Sequence, residues 1–517
     1  MGNSIVKTVL GLLVLIIASF LIGIMAADSA KTAAILVFGL GALFFIVAMG
    51  RKVWMCLFLL VPVCQALPPI AEIPVSHIAM AGVLCYWLVL SLLGYVKFTW
   101  RKLLWADLLL VLFIVLMMVS YFRNPVGIMA LTRLFDIRFD VVGGNEYVIL
   151  VFTALFYVSY SCIPFEKDKL LKMLKWYVIL RLAASFVCAL IMFRSSMAAS
   201  HAADGSGMSR IMMFKSFALL LFSAIYCVTP LKSLFTSPIR LSGVLFSCLL
   251  VLVSGYRSLL VSFVIVAVTC SFFRKEILSV LLSALVGLFG IYAMGASHTL
   301  DILPFPVQRA LSVLPGLDVS GAARVSANAS IEWRVRMWEW ALDPRTGYIK
   351  DYTWGDGFGQ EMAVLQRQSV AMTRGLLRYG DQTMFAQRGL WHSGYVTTIE
   401  KLGFVGLVFT IVVYLYGIYM MFRVNWALRL TKYSCYCMFF TCFQLNATLM
   451  FYISAGTISS FMGQFQFLAY IKVFYNIAVD EGAIVPGLRR RKYTPMLIRE
   501  DSETRMKPVG GFRSEFE

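Results

Sequence analysis

The chain has 517 residues, 60% of them hydrophobic and only 14% charged, with mean hydropathy +0.80. A soluble domain carries about 25% charged and roughly 45–50% apolar residues, so a soluble globular enzyme and a disordered chain are both excluded. The formal charge of +19, from 46 Lys+Arg against 27 Asp+Glu, fits basic cytoplasmic loops and nearby anionic lipid headgroups better than a nucleic-acid partner.

A membrane-spanning helix needs about 20 mainly apolar residues, and about fourteen stretches meet that rule. In chain order they are Ser4–Ala27, Thr32–Gly50, Val53–Leu67, Ile78–Val96, Trp105–Tyr121, Tyr147–Ile163, Trp176–Phe193, Ile211–Val228, Leu241–Ser254, Ser258–Phe273, Ile277–Met294, Ser393–Phe422, Ser434–Tyr452 and Thr457–Ile477. The first has a signal-peptide look, with Lys7 and Ala26-Ala27 around an apolar run. That run exceeds the ~7–15 residues of a cleaved segment, so an uncleaved helix is expected.

With the N-terminus inside, alternate loops hold Arg51-Lys52, Lys97 with Arg101 and Lys102, the lysines from Lys167 to Lys175, Lys232 with Arg240, Arg274-Lys275 and Arg423 with Arg429 and Lys432. Every such loop is basic, as cytoplasmic loops are. The expectation is an all-α polytopic membrane protein of 12–14 spans with both termini cytoplasmic. Residues 1–294 form an N-terminal helix bundle and 295–391 a large extracytoplasmic loop domain. Residues 392–478 form the C-terminal helices, and 479–517 a disordered tail. The eleven cysteines lie in apolar stretches without zinc-type spacing to histidines, and read as small apolar residues.

The outward-facing basic residues are nearly all arginine, among them Arg123, Arg309, Arg324, Arg334, Arg336, Arg367, Arg374, Arg378 and Arg388. A guanidinium pairs bidentately with phosphate, so a lipid pyrophosphate is one reading; headgroup anchoring and structural ion pairs are the other. Arg257 stands between two apolar stretches in Ser254-Gly255-Tyr256-Arg257, where a cation is costly unless it has a task or snorkels. Within the large loop, Ile331–Asp343 reads as an amphipathic helix carrying Arg334 and Trp338 on one face. Downstream, Gly355-Asp356-Gly357-Phe358-Gly359 does not follow a strand, so a dinucleotide site is improbable, though its amides could approach a phosphate. A further helix over 361–379 would align Arg367, Arg374 and Arg378. His392, at the start of a span, is suited to accept a proton, although a lone histidine more often makes a structural hydrogen bond. No HExxH, P-loop or DxD pair is present outside the membrane, which argues against a metalloprotease, an ATP-driven pump and a metal-dependent transferase.

Taken together, these residues resemble the O-antigen ligase/polymerase superfamily of bacterial membrane glycosyltransferases. The pattern covers about 241–422: Ser254-Gly-Tyr-Arg257, then Arg334-Val-Arg-Met-Trp338, then Gly355–Gly359, then His392 followed by Gly403-Phe-Val-Gly406. Two departures stand out: fourteen spans rather than about twelve, and Ser393 where Asn often follows the histidine. The resemblance implies an undecaprenyl-pyrophosphate-linked glycan donor in the bacterial inner membrane and an acceptor that is a glycolipid, a growing polysaccharide or a protein. It implies no metal or cofactor. Arg257 and Arg334, with Arg336 as a helper, would hold the pyrophosphate, His392 would be the base, and Trp338, Gly357 and Arg388 would be loop contacts. A ligase is the first expectation; a polymerase or protein O-glycosyltransferase of the same superfamily is the alternative. A flippase or transporter for lipid-linked sugars is the competing class, set back because no repeat or broken helix is evident.

Overall fold

The computed structural model describes residues 30–67, 73–97, 99–101, 104–127, 141–199, 214–254, 256–297, 299–312, 314–317, 319–361, 391–452 and 456–484. The expected helix Ser4–Ala27, the expected helix over 361–379 and the tail beyond 484 lie outside or almost wholly outside these residues. Every other apolar stretch coincides with a described helix. In order these are α1 (Ala30–Met49), a 3-10 turn and α2 (Cys56–Cys64), α3 (Val75–Leu92), α4 (Leu104–Arg123), α5 (Asn145–Cys162), α6 (Lys167–Ala199), α7 (Lys215–Val228), α8 (Leu231–Thr236), α9 (Pro238–Ser254), α10 (Arg257–Arg274) and α11 (Ile277–Ala296). After them come α12 (Phe305–Leu311), α13 (Gly321–Leu342), α14 (Gly394–Leu428), α15 (Ser434–Met450) and α16 (Ile458–Asp480). The strand content among the described residues is a two-residue antiparallel pairing of Val141–Val142 with Gln360–Glu361.

Among the described residues, 7 helices are long and apolar enough to cross a membrane. Two expected spans, Thr32–Gly50 and Val53–Leu67, both overlap one such run, Gly39–Cys64, broken where Gly50 takes φ +51 and Lys52 leaves helical geometry. Helices α5 and α16 fall outside the seven because they carry more polar residues, and α15, as polar as they are, is also shorter at 17 residues. They can do so because other helices surround them: α16 packs most heavily on α5 and α14, and Gln444 donates to Gln464 at 2.5 Å between α15 and α16. The opposite case is α11. Leu285, Val286 and Phe289 are 62%, 74% and 77% exposed, and a helix apolar all round without protein cover is suited to lipid. Long apolar helices of this kind suggest a membrane protein.

One hydrophobic core runs from Ile46 on α1 to Ile484 after α16. The N-terminal and C-terminal helices therefore share a single interior. Inside it lies an ion pair that the sequence reading passed over. Lys472 on α16 is fully buried and donates to Asp107 on α4. Asp107 also accepts from Tyr157 Oη at 2.6 Å and Trp100 Nε1 at 3.3 Å, and the ammonium sits over the Trp100 and Tyr157 rings at 4.5 and 4.9 Å. A charge taken out of water survives only with such company. All eleven cysteines are free thiols.

Candidate functional site

The site is assembled on α13. The helix extends ten residues beyond the N-terminal end of the expected patch. Its buried residues Ala323, Ala327, Met337 and Ala341 repeat at helical spacing, and Arg334 lies on the same face. Two hydrogen bonds tie this face to the rest of the chain. Arg257, the first residue of α10, donates from Nη2 to the Ala327 carbonyl at 3.0 Å. Trp338 donates from Nε1 to the Trp391 carbonyl at 2.7 Å. Trp391 is itself held by its indole N–H, which donates to Glu400 Oε2 at 2.7 Å, and Glu400 pairs with Lys401 at 2.9 Å.

His392 follows directly. Its φ is +51°, a conformation that costs a non-glycine residue roughly 1–2 kcal/mol. The strain is imposed by its neighbours: Trp391 is 1% and Ser393 0% exposed, and seating both turns the chain at the histidine. The ring lies against Trp333, with centroids 5.6 Å apart. Burial, and then the Arg334 guanidinium, hold the imidazole pKa below its ordinary value of 6.5, so the neutral, proton-accepting form is favoured.

A third arginine joins the group. Arg309, on the short helix α12, lies within electrostatic range of both Arg257 and Arg334. Burial, followed by the charge on Arg309, pushes Arg334 below the usual guanidinium pKa. The Nε of Arg309 is buried without a hydrogen-bond partner. Among the described residues, none of the three guanidiniums forms an ion pair. Like charges gathered without a counter-ion repel, and an anion placed among them relieves that repulsion. The sequence reading had Arg309 only as one of many outward arginines. Its position depends on a small apolar cluster, Leu300, Val307, Leu311, Leu317 and Val319 packed on Leu252 and Ile291, and no periodicity announces such a contact.

Other expected residues fall elsewhere. Arg336 sits two residues from Arg334, about 200° around the helix, and is 71% exposed and paired with Glu332 at 3.2 Å; its position is that of a solvated ion pair rather than a helper. Three amides of the glycine motif are already taken. Gly355 N–H donates to Asp351 O, Asp356 N–H to Glu400 O and Gly357 N–H to Lys401 O at 3.2 Å, so Gly357 seats the loop on α14 instead of approaching a phosphate. Trp338 acts as a brace for Trp391. Arg388 lies outside the described residues, as do Arg367, Arg374 and Arg378. His77 is buried and hydrogen-bonded with Gln466 at 2.8 Å, the structural role expected of a lone histidine.

Of the expected pair Gly403 and Gly406, the first receives a loop rather than a neighbouring helix. Gly403 breaks α14, with φ 67 and ψ −170, and a Cβ there would lie 2.1 Å from the Thr353 carbonyl oxygen. The loop fills the break. Phe404 N–H donates to Tyr352 O at 2.7 Å and Val405 N–H to Thr353 O at 3.2 Å, which satisfies the first donors of the restarted helix. Asp351 caps the loop by accepting from the Thr353 and Trp354 amides at 2.8 and 3.0 Å. It pairs with Arg123 at 2.5 Å, and that guanidinium's hydrogen bond holds the carboxyl below the usual range.

No family model matches the chain, and no curated protein matches it.

Proposed function

We propose that this chain is a glycosyltransferase of the bacterial inner membrane. It moves a glycan from undecaprenyl pyrophosphate to an acceptor hydroxyl on the extracytoplasmic face, as an O-antigen ligase-like enzyme of surface polysaccharide or lipopolysaccharide assembly, with both termini cytoplasmic. The observation that carries this reading is the convergence of Arg257, Arg309 and Arg334, from three separate helices, beside a neutral-leaning His392. Fixed cations next to a base suit a reaction that expels an anion and removes a proton. Arg257 and Arg334 hold the diphosphate. The acceptor oxygen attacks the anomeric carbon, the bond from that carbon to the diphosphate oxygen breaks, and the acceptor proton passes to His392. Attack opposite the leaving group inverts the anomeric configuration. The guanidiniums supply the charge stabilisation that a metal provides elsewhere.

A flippase would use the same cationic cluster, and α14 is broken as transporter helices are. The break at Gly403, however, is filled by the 351–359 loop, whose Tyr352 and Thr353 carbonyls accept its amides. Reconstitution in liposomes with a lipid-pyrophosphate-linked oligosaccharide separates the readings. Transfer to an added acceptor, with release of the lipid pyrophosphate, supports the enzyme. Movement of intact donor across the bilayer without transfer refutes it. The acceptor that works distinguishes a ligase from a polymerase or protein O-glycosyltransferase.

A further inference from the structure

A second polar feature lies inside the membrane domain. Helices α2, α3, α6, α7, α15 and α16 enclose a cavity of about 450 Å³. One wall is a closed hydrogen-bonded set. Gln65 Nε2 donates to Tyr470 Oη at 2.9 Å, Tyr177 Oη donates to Gln65 Oε1 at 2.8 Å, and the two hydroxyls lie 3.2 Å apart. Leu220, Phe439, Phe440 and Phe443 give the lining an apolar part, and Phe440 packs directly on Tyr177 and Tyr470, with ring centroids 5.1 and 4.5 Å apart. Ser459 and Ser460, at the start of α16, are exposed residues of its lining, and the mouth is inferred there. That helix end meets the start of α14, where Thr397 Oγ1 donates to Gly456 O at 3.1 Å.

Arg181 on α6 also lines the cavity. It lies five residues past Trp176, where the apolar part of the helix begins, and twelve before Phe193, the end of the Lys167–Phe193 candidate span. Among the described residues its guanidinium makes one long hydrogen bond, from Nη1 to the Pro62 carbonyl at 3.4 Å, and no ion pair. A guanidinium has five donors and keeps its charge. Held this deep without a carboxylate, it is a functional residue by default. The neighbouring wall cannot neutralise it, because its polar groups are satisfied among themselves.

We infer that this cavity binds a phosphate group carried on a hydrocarbon chain, with the phosphate on Arg181 and the chain along the phenylalanine wall. The inference does not rest on the donor site at Arg257 and Arg334. The test uses the full chain in phosphatidylcholine nanodiscs, in an Arg257→Gln, Arg334→Gln background that silences the outer arginines. Binding of farnesyl phosphate, farnesol and inorganic phosphate is measured. Farnesyl phosphate should bind saturably and the other two at least about tenfold more weakly, the scale of a lost charged hydrogen bond. Arg181→Gln should weaken farnesyl phosphate about tenfold, and Ser460→Trp, which obstructs the mouth and leaves the buried wall intact, should do the same. Unchanged binding in both variants overturns the proposal. So does inorganic phosphate binding as tightly as farnesyl phosphate, which would mark a free-anion site.

Discussion

Trp338 and Trp391 are joined by a 2.7 Å hydrogen bond from the indole N–H of one to the carbonyl of the other. This bond fixes His392 to the helix that carries Arg334. Met337, Ala341 and Val396 close an apolar cluster around it, with Trp333, Trp340, Tyr348 and Tyr395 packed on its edge. His392 and Arg334 are thereby parts of one packed unit. Trp338→Phe keeps the ring and removes the donor. Transfer should fall about fivefold in kcat, the equivalent of about 1 kcal/mol, with KM for donor little changed. Steady-state kinetics check this; an equal rise in KM with kcat intact would mean that Trp338 touches donor instead.

His392 should titrate below 6.5, because burial and then Arg334 disfavour its charged form. The sign follows: transfer stays level as pH falls to 6.5 and is lost only at more acid pH, where the imidazole gains its proton. Arg334→Gln removes one of the two causes and should raise the His392 pKa towards 6.5. NMR of ring-labelled histidine measures this independently of activity. A pKa that does not move would separate the two residues.

Gly403→Ala should destabilise the fold by roughly 2 kcal/mol or more, since this backbone region is open almost to glycine alone and the new Cβ would press on the Thr353 carbonyl. Gly406→Ala should destabilise as well, because its added Cβ would lie 2.2 Å from the Leu402 Cβ, but without the backbone strain of position 403. Thermal unfolding in detergent compares the two.

Lys472→Met should destabilise by about 3–5 kcal/mol, the cost of leaving a buried charge unpaired. Asp107→Asn combined with Lys472→Met should recover much of that loss, because neither residue is then charged. Thermal midpoints of both single variants and the double variant test the coupling; additive losses would contradict it.

The helices were legible because an apolar run of spanning length has few alternatives, and α11 shows the signal at its plainest. Arg257 was legible for a similar reason: a cation between two apolar stretches is conspicuous. Arg334 and Trp338 were readable as one helical face, and the structure carries both to His392. Other features depended on tertiary contact. Arg309 owes its place to the packing of a seven-residue helix. The break at Gly403 depends on a loop fifty residues upstream that supplies carbonyls to it. Asp107 and Lys472 did leave a trace, since each is a single charge within an apolar stretch, and opposite signs in two such stretches are a reason to pair them.

The central claim is that Arg257, Arg334 and His392 form one transfer site. Its most direct test measures donor binding and glycan transfer in the same reconstituted preparation, for wild type, Arg257→Ala, Arg334→Ala and His392→Ala. The arginine variants should lose donor binding and at least about 100-fold in transfer, the scale of removing a charge-stabilising donor, with lysine a poor substitute at either position. The His392 variant should bind donor and fail to transfer, and His392→Gln should not restore the reaction. Transfer at near wild-type rate by either arginine variant, or by His392→Gln, would contradict the account.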